Sequence, residues 1–227
     1  SFQARSRRMA KMISVKICGL TSESDVETAI EAGADMVGFV IVESSPRYVP
    51  FEKAQALIRH AAELGAEPWV VATVDVPWLD QLVEETPEIG AVQLHGKESP
   101  AAVASFARRH PLVPVIKAMG VMSRRDLEDV EAFEAADAFL FDAKPPKGAS
   151  REGGHGRSFD WSILKGFRVQ DHEDWTLSGG LTPANVAEAI RLSGAHAVDV
   201  SSGVEKSPGV KDPAKVRAFI KAAKAAE

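Results

Sequence analysis

From Ile13 to the C-terminus, short runs rich in Val, Ile, Leu and Phe alternate with stretches in which apolar residues recur every three or four positions. The short runs read as strands buried on both faces, and the longer stretches as helices with one apolar stripe. Strands are expected at Val15–Ile17, Met36–Val42, Trp69–Val74, Ala91–Leu94, Val113–Lys117, Ala138–Phe141, Trp175–Leu177 and Ala197–Val200. Helical stripes recur in Val26/Ala29/Ile30, Ala54/Leu57/Ile58/Ala61, Val186/Ala189/Ile190 and Val216/Phe219/Ile220/Ala223, each opposite a charged face. Ser99-Pro100, Thr182-Pro183 and Asp212-Pro213 mark helix starts, because each places a capping side chain before a proline suited to the first helical position.

Strands buried on both faces, each followed by a helix, form either an open doubly wound sheet or a closed barrel. Eight regular units favour the barrel, and an open nucleotide-binding sheet calls for a glycine-rich loop after the first strand. Here that strand runs instead into Cys18-Gly19-Leu20-Thr21. The expectation is a single (β/α)8 TIM barrel, an α/β domain over residues 12–227. Residues 1–11 are basic but lack the apolar core of a secretory signal, and are read as an extension outside the fold.

Composition narrows the partners. The 227 residues carry a net charge of −5, and 45% are hydrophobic. That balance supplies no basic stripe for nucleic acid, and no apolar run approaches a membrane span. No obligate protein partner is evident, so a small molecule is the expected partner. The single cysteine, Cys18, excludes an internal disulfide and fits a reducing, cytoplasmic setting. The six histidines share no metal-ligand spacing, and HExxH is absent, so no metal is expected.

In barrels of this kind the active site lies where strands end at the C-terminal face. The polar residues there are Cys18, Ser45-Pro46-Arg47-Tyr48, His95, Lys117, Asp142 and Asp199. The loops after the last two strands, Ser178-Gly179-Gly180 and Ser201-Ser202-Gly203, suit a phosphate, since glycine admits close approach and helix-start amides point at an anion. Cys18 reads as functional ahead of packed, because it sits where its strand gives way to Gly19. The residues alone leave Asp142 open between catalysis and a salt bridge with Lys117 or Lys144. They leave Arg47 open between an anion fork and a surface role, and His95 between ligand and satisfied rim histidine. The glycine-rich Arg151–Arg157 stretch around His155 reads as either a mobile lid or a disordered loop.

Taken in order, these motifs resemble one family, phosphoribosylanthranilate isomerase. The resemblance is carried by Lys16-Ile17-Cys18-Gly19-Leu20, Gly38-Phe39-Val40, Ser45-Pro46-Arg47-Tyr48-Val49, Val92-Gln93-Leu94-His95-Gly96 and Phe141-Asp142. It continues through Gly153-Gly154-His155-Gly156, Phe159-Asp160-Trp161, Leu177-Ser178-Gly179-Gly180-Leu181 and Val198-Asp199-Val200-Ser201-Ser202-Gly203-Val204-Glu205. Two features depart from the family pattern: His155 stands where a threonine is usual, and the segment from Ala143 to Glu152 is longer and more basic.

The resemblance implies an Amadori rearrangement of N-(5-phosphoribosyl)anthranilate that requires no cofactor. It implies Asp142 as general acid at the ribose ring oxygen and Cys18 as general base at C2′. Arg47 would pair with the anthranilate carboxylate, the amides around Gly180 and Ser202-Gly203 would bind phosphate, and His95 and Asp199 would line the substrate site. A free thiol titrates near about 8.5, so such a site must favour the thiolate or work from a small active fraction. The competing readings are a related phosphate-binding sugar isomerase, whose family resembles this one in fold but has a carboxylate where Cys18 stands, and a non-catalytic sugar-phosphate-binding barrel.

Overall fold

The computed structural model describes residues 12–143, 159–168 and 175–226. In chain order the elements are β1 (Ser14–Cys18), α1 (Glu23–Glu31), β2 (Met36–Val40), α2 (Phe51–Glu63), β3 (Glu67–Ala72), α3 (Leu79–Glu85), β4 (Ala91–Leu94) and α4 (Pro100–Arg109). They continue with β5 (Val115–Val121), a 3-10 helix (Arg124–Ala132), β6 (Ala138–Ala143), a 3-10 helix (Trp161–Leu164), β7 (Trp175–Ser178), α5 (Val186–Ser193) and β8 (Ala197–Val200). A 3-10 turn (Ser202–Val204), the short strands β9 (Glu205–Ser207) and β10 (Val210–Lys211), and α6 (Pro213–Ala225) complete the order.

Strands β1 to β8 are parallel neighbours in sequence order, and β8 pairs back onto β1 to close the barrel. Closure sorts each strand by parity, since successive side chains point to opposite faces. Outward residues such as Val15, Ile17, Val37, Phe39, Val92 and Val198 join the apolar stripes of the helices in one large core. Inward residues Met36, Trp69, Ala91, Ile116, Ala118 and Leu140 form a separate, smaller core inside the barrel. Completing that interior are polar side chains at the same parity: Lys16, Gln93, Thr176 and Asp199, all buried.

The helix starts at Ser99 and Asp212 form as expected: Ser99 accepts a hydrogen bond from Ala102 N, and Asp212 from Ala214 N and Lys215 N. The start at Thr182-Pro183 does not. There a turn precedes α5, and the Asn185 side chain accepts from Thr182 N and donates to Gly180 O. The side-chain amide of Asn185 thus satisfies two backbone groups of the loop before α5.

Strand β5 also departs from expectation, running from Val115 to Val121 rather than stopping at Lys117. Lys117 is therefore mid-strand and outward-facing, where its ammonium donates to Gly96 O and Glu98 at 2.9 Å each. It belongs to a buried clip holding the loop after β4, not to the barrel mouth.

Candidate active site

Strand β1 carries Cys18 at its last position, and Gly19 follows with φ +78°, a conformation that glycine adopts without the usual Cβ penalty. Two residues earlier, on the same inward face, Lys16 has no exposed surface. Its ammonium donates to Gln93 Oε1 at 2.9 Å and to Asp199 Oδ1 at 3.1 Å. Gln93 in turn meets His95 Nδ1 at 2.8 Å, and Ser178 donates to Asp199 Oδ2 at 2.9 Å. A hydrogen-bonded chain thus runs His95–Gln93–Lys16–Asp199–Ser178 across β4, β1, β8 and β7.

Burial pushes the Cys18 thiol up, and Lys16 draws it back only in part, so the thiol titrates above its ordinary value. For Lys16 burial acts to strip the proton, yet Asp199 and Cys18 more than offset it and hold the ammonium charged. Gly38 on β2 makes the arrangement possible. A Cβ there would stand 2.6 Å from Cys18 Sγ and 3.2 Å from Lys16 Nζ, so both heads occupy the space of the missing side chain.

Asp142 lies on β6, in register with Gly120 of β5 and Ser178 of β7. Its carboxylate packs against the Cα of Gly179, whose φ of +94° turns the chain away from β7. Cys18 and Asp142 thus rise from different sectors of one mouth, with β7 and β8 between their strands on the shorter side. The loops after β7 and β8 converge as well, because the Cα of Gly203 packs directly on Leu181 O. Gly180 has φ +65°, and Ser201 opens the 3-10 turn that carries Ser202 and Gly203.

Arg47 lies beside this mouth, with its side chain lodged against Gly19, which the Ser201 hydroxyl also approaches. It holds Glu205 through both Nε, at 2.9 Å, and Nη2. Lys211 donates to the same carboxylate at 3.1 Å and to Ser201 O at 3.0 Å. Burial opposes ionisation of Glu205, but Arg47 and Lys211 prevail and hold its carboxyl below the ordinary range. The bond to Glu205 correspondingly raises the Arg47 guanidinium. Burial lowers the Lys211 ammonium.

A fork bound on one edge keeps Nη1 for another anion, so the pair with Glu205 fixes Arg47 without consuming it. Among the described residues, no group of three His, Cys, Asp or Glu side chains is placed to hold a metal ion, and no helix is long and apolar enough to cross a membrane.

The family model described as N-(5'phosphoribosyl)anthranilate (PRA) isomerase matches residues 15–222. The chain belongs to the phosphoribosylanthranilate isomerase family. A relative from Rhodospirillum rubrum, N-(5'-phosphoribosyl)anthranilate isomerase, is 49% identical over 213 residues, covering 92% of this chain and 96% of its own. The crystal structure of phosphoribosyl anthranilate isomerase from Thermotoga maritima superposes with TM-score 0.79 at 39% identity, covering 94% of this chain and 99% of that one. Another isomerase of the family, solved in complex with reduced 1-(o-carboxyphenylamino)-1-deoxyribulose 5-phosphate, has TM-score 0.77 and 36% identity over 94% of this chain and 99% of its own.

Within this isomerase framework, the sequence reading named Cys18, Arg47, His95, Asp142, Asp199 and the two glycine-bearing loops, and the fold gathers them at one end. It did not name Lys16, Gln93, Glu205 or Lys211 as site residues. Lys16, Gln93 and Asp199 share a signal that was available: polar side chains in mid-strand, at the parity that faces the barrel interior. His155 and Lys144 lie outside the described residues.

Proposed function

We propose that this chain converts N-(5'-phosphoribosyl)anthranilate into 1-(2-carboxyphenylamino)-1-deoxyribulose 5-phosphate by an Amadori rearrangement, with Asp142 as general acid and Cys18 as general base. The observation that carries the residue assignment is their shared address: one carboxylate and the sole thiol at the same mouth, on strands set apart around it. Asp142 donates a proton to the ribose ring oxygen as the C1′–O bond breaks. The anilino nitrogen lone pair then forms an iminium ion. The iminium acidifies the neighbouring carbon, and Cys18 removes the C2′ proton to leave an enolamine. Tautomerisation gives the ketone. Electrons and protons redistribute within one substrate, so the balance needs no external oxidant or reductant.

Arg47 offers its remaining N–H edge to the anthranilate carboxylate, held at a set angle by Glu205. Backbone amides of Gly179, Gly180, Ser201, Ser202 and Gly203 receive the phosphate, supported by the approach of Gly203 to Leu181. His95 and Asp199 complete the wall. Because burial favours the thiol form of Cys18, the resting site draws on a minor thiolate fraction. A reducing, cytoplasmic setting suits this lone, unpaired cysteine.

The test is turnover, followed as loss of the fluorescence of phosphoribosyl anthranilate, for the native protein beside Cys18→Ala and Asp142→Asn. Turnover by the native chain together with near-complete loss in both variants supports the reading. A native chain that binds the substrate without converting it overturns it in favour of a binding barrel.

A further inference from the structure

An ammonium group with no exposed surface, inside an apolar barrel, calls for a physical reason, since burial of an unpaired charge is among the costliest features a fold can carry. Met36, Ala91, Ile116 and Leu140 share the parity of Lys16 in the barrel interior. The Trp69 ring lies 5.1 Å from its nitrogen. Structural economy would fill this place with another aliphatic residue, as it does elsewhere in the interior. Instead the ammonium is tethered from two directions, by Gln93 and Asp199, and its remaining side meets Cys18 over the bare Cα of Gly38.

We infer that Lys16 is a positioning residue that stabilises the thiolate of Cys18, and that Asp199 sets how much of its charge the sulfur feels. This rests on the reading of Cys18 as the base. The charged groups facing the sulfur are Lys16 from β1, Asp199 from β8, Lys211 from β10 and Arg47 from the loop after β2. Of these, Lys16 is the one whose head shares with the sulfur the space over Gly38, while Lys211 and Arg47 are both engaged by Glu205. Gln93 gives the lysine head a second tether beside Asp199, so the ammonium is held by two acceptors. Its tether also links His95 to the same network. Lys16 itself touches no substrate atom in this scheme; it acts through the sulfur.

The two partners have opposite signs, which makes the inference testable without reference to turnover. Lys16→Met removes the cation that stands beside the sulfur over Gly38 and raises the thiol titration. Asp199→Asn removes an anion, leaves an amide oxygen for Lys16, and lowers it. Cys18 is the only cysteine, so ultraviolet thiolate absorbance, taken as the difference from a Cys18→Ser protein, reports one sulfur.

At a pH below the midpoint, the thiolate fraction is expected to fall by about tenfold or more in Lys16→Met, since a charge partner at this range moves a titration by roughly one to three units. The pH profile of kcat should move the same way. Asp199→Asn should displace the thiolate titration in the other direction, and does so even if Lys16→Met fails to fold. An unmoved titration in the folded variants, or movement of both in one direction, overturns the inference. Titrations that shift as stated while Cys18→Ala retains turnover would uphold the electrostatic pairing and refute the base assignment instead.

Discussion

The two ends of the barrel use carboxylates in opposite ways. At the end where strands begin, Asp35 and Asp137 do equivalent work: each accepts the backbone N–H of the preceding strand, Val15 and Val115, at 2.8 Å. Each also donates its own N–H back, to Val15 O and Val115 O respectively. These carboxylates close local hydrogen-bond loops, and Lys224 neutralises one of them. At the other end, Asp199 and Glu205 hold cations far away in sequence, Lys16 and Arg47, and Lys16 stands beside a thiol. One end spends its charges on holding strand starts in register, the other on setting the chemistry of neighbouring groups. Changes at the first end are therefore expected to register in stability, and changes at the second in rate.

The sharpest way to break this contrast is Cys18→Ala or Asp142→Asn. Each should lower kcat by roughly 100- to 10,000-fold, the range of a deleted proton transfer, while thermal unfolding and phosphate affinity stay near the native values. A variant that loses melting temperature but keeps its rate per folded molecule would return Cys18 to the packing core. Arg47→Met comes next. Because its side chain keeps 20% exposure, the loss should fall near the low end of roughly 2–5 kcal/mol and show as a raised KM with kcat little changed. An unchanged KM removes Arg47 from the site.

At the opposite end, Asp137→Ala should cost about 1 kcal/mol by leaving Val115 N without its partner, a melting shift of roughly 2–4 °C, with kcat and KM untouched. A changed rate in that variant contradicts the division between the ends.

The smallest expected effect is a pH dependence at Asp80. Its hydrogen bond from His110, with Arg109 assisting, holds the carboxyl below its ordinary value. A lowered native value contributes stability that is full above the unfolded carboxylate range and disappears as pH falls through the native one. Asp80→Asn should therefore narrow the gap in melting temperature between neutral and acidic solution, a gap of unchanged width counting against the pair.

The strand count, the helix stripes and the addresses of Cys18, His95 and Asp199 were legible because alternation and turn residues are local signals. What was not legible depended on closure. Lys16 sits between Val15 and Ile17, a polar side chain in mid-strand, and only the return of β8 to β1 shows that its side faces the barrel interior and meets Asp199. Lys117 was assigned to the mouth because β5 was ended there, whereas the strand runs on to Val121. The true register places the lysine on the outer face, paired with Glu98. The partner of Arg47 was hidden for a similar reason, since Glu205 lies 158 residues away and no spacing rule connects them.

The seam between first and last strands also orders events in the life of the chain. Lys16 and Asp199 are direct partners across it, yet 183 residues separate them in sequence. During synthesis Cys18 leaves the ribosome early, long before Asp199, Glu205 and Lys211 exist. Until β8 docks, its sulfur is an ordinary cysteine with a mobile lysine nearby, and only the finished polypeptide can tune it. Reactivity is thereby tied to completion: a prematurely terminated chain carries the thiol but not its setting.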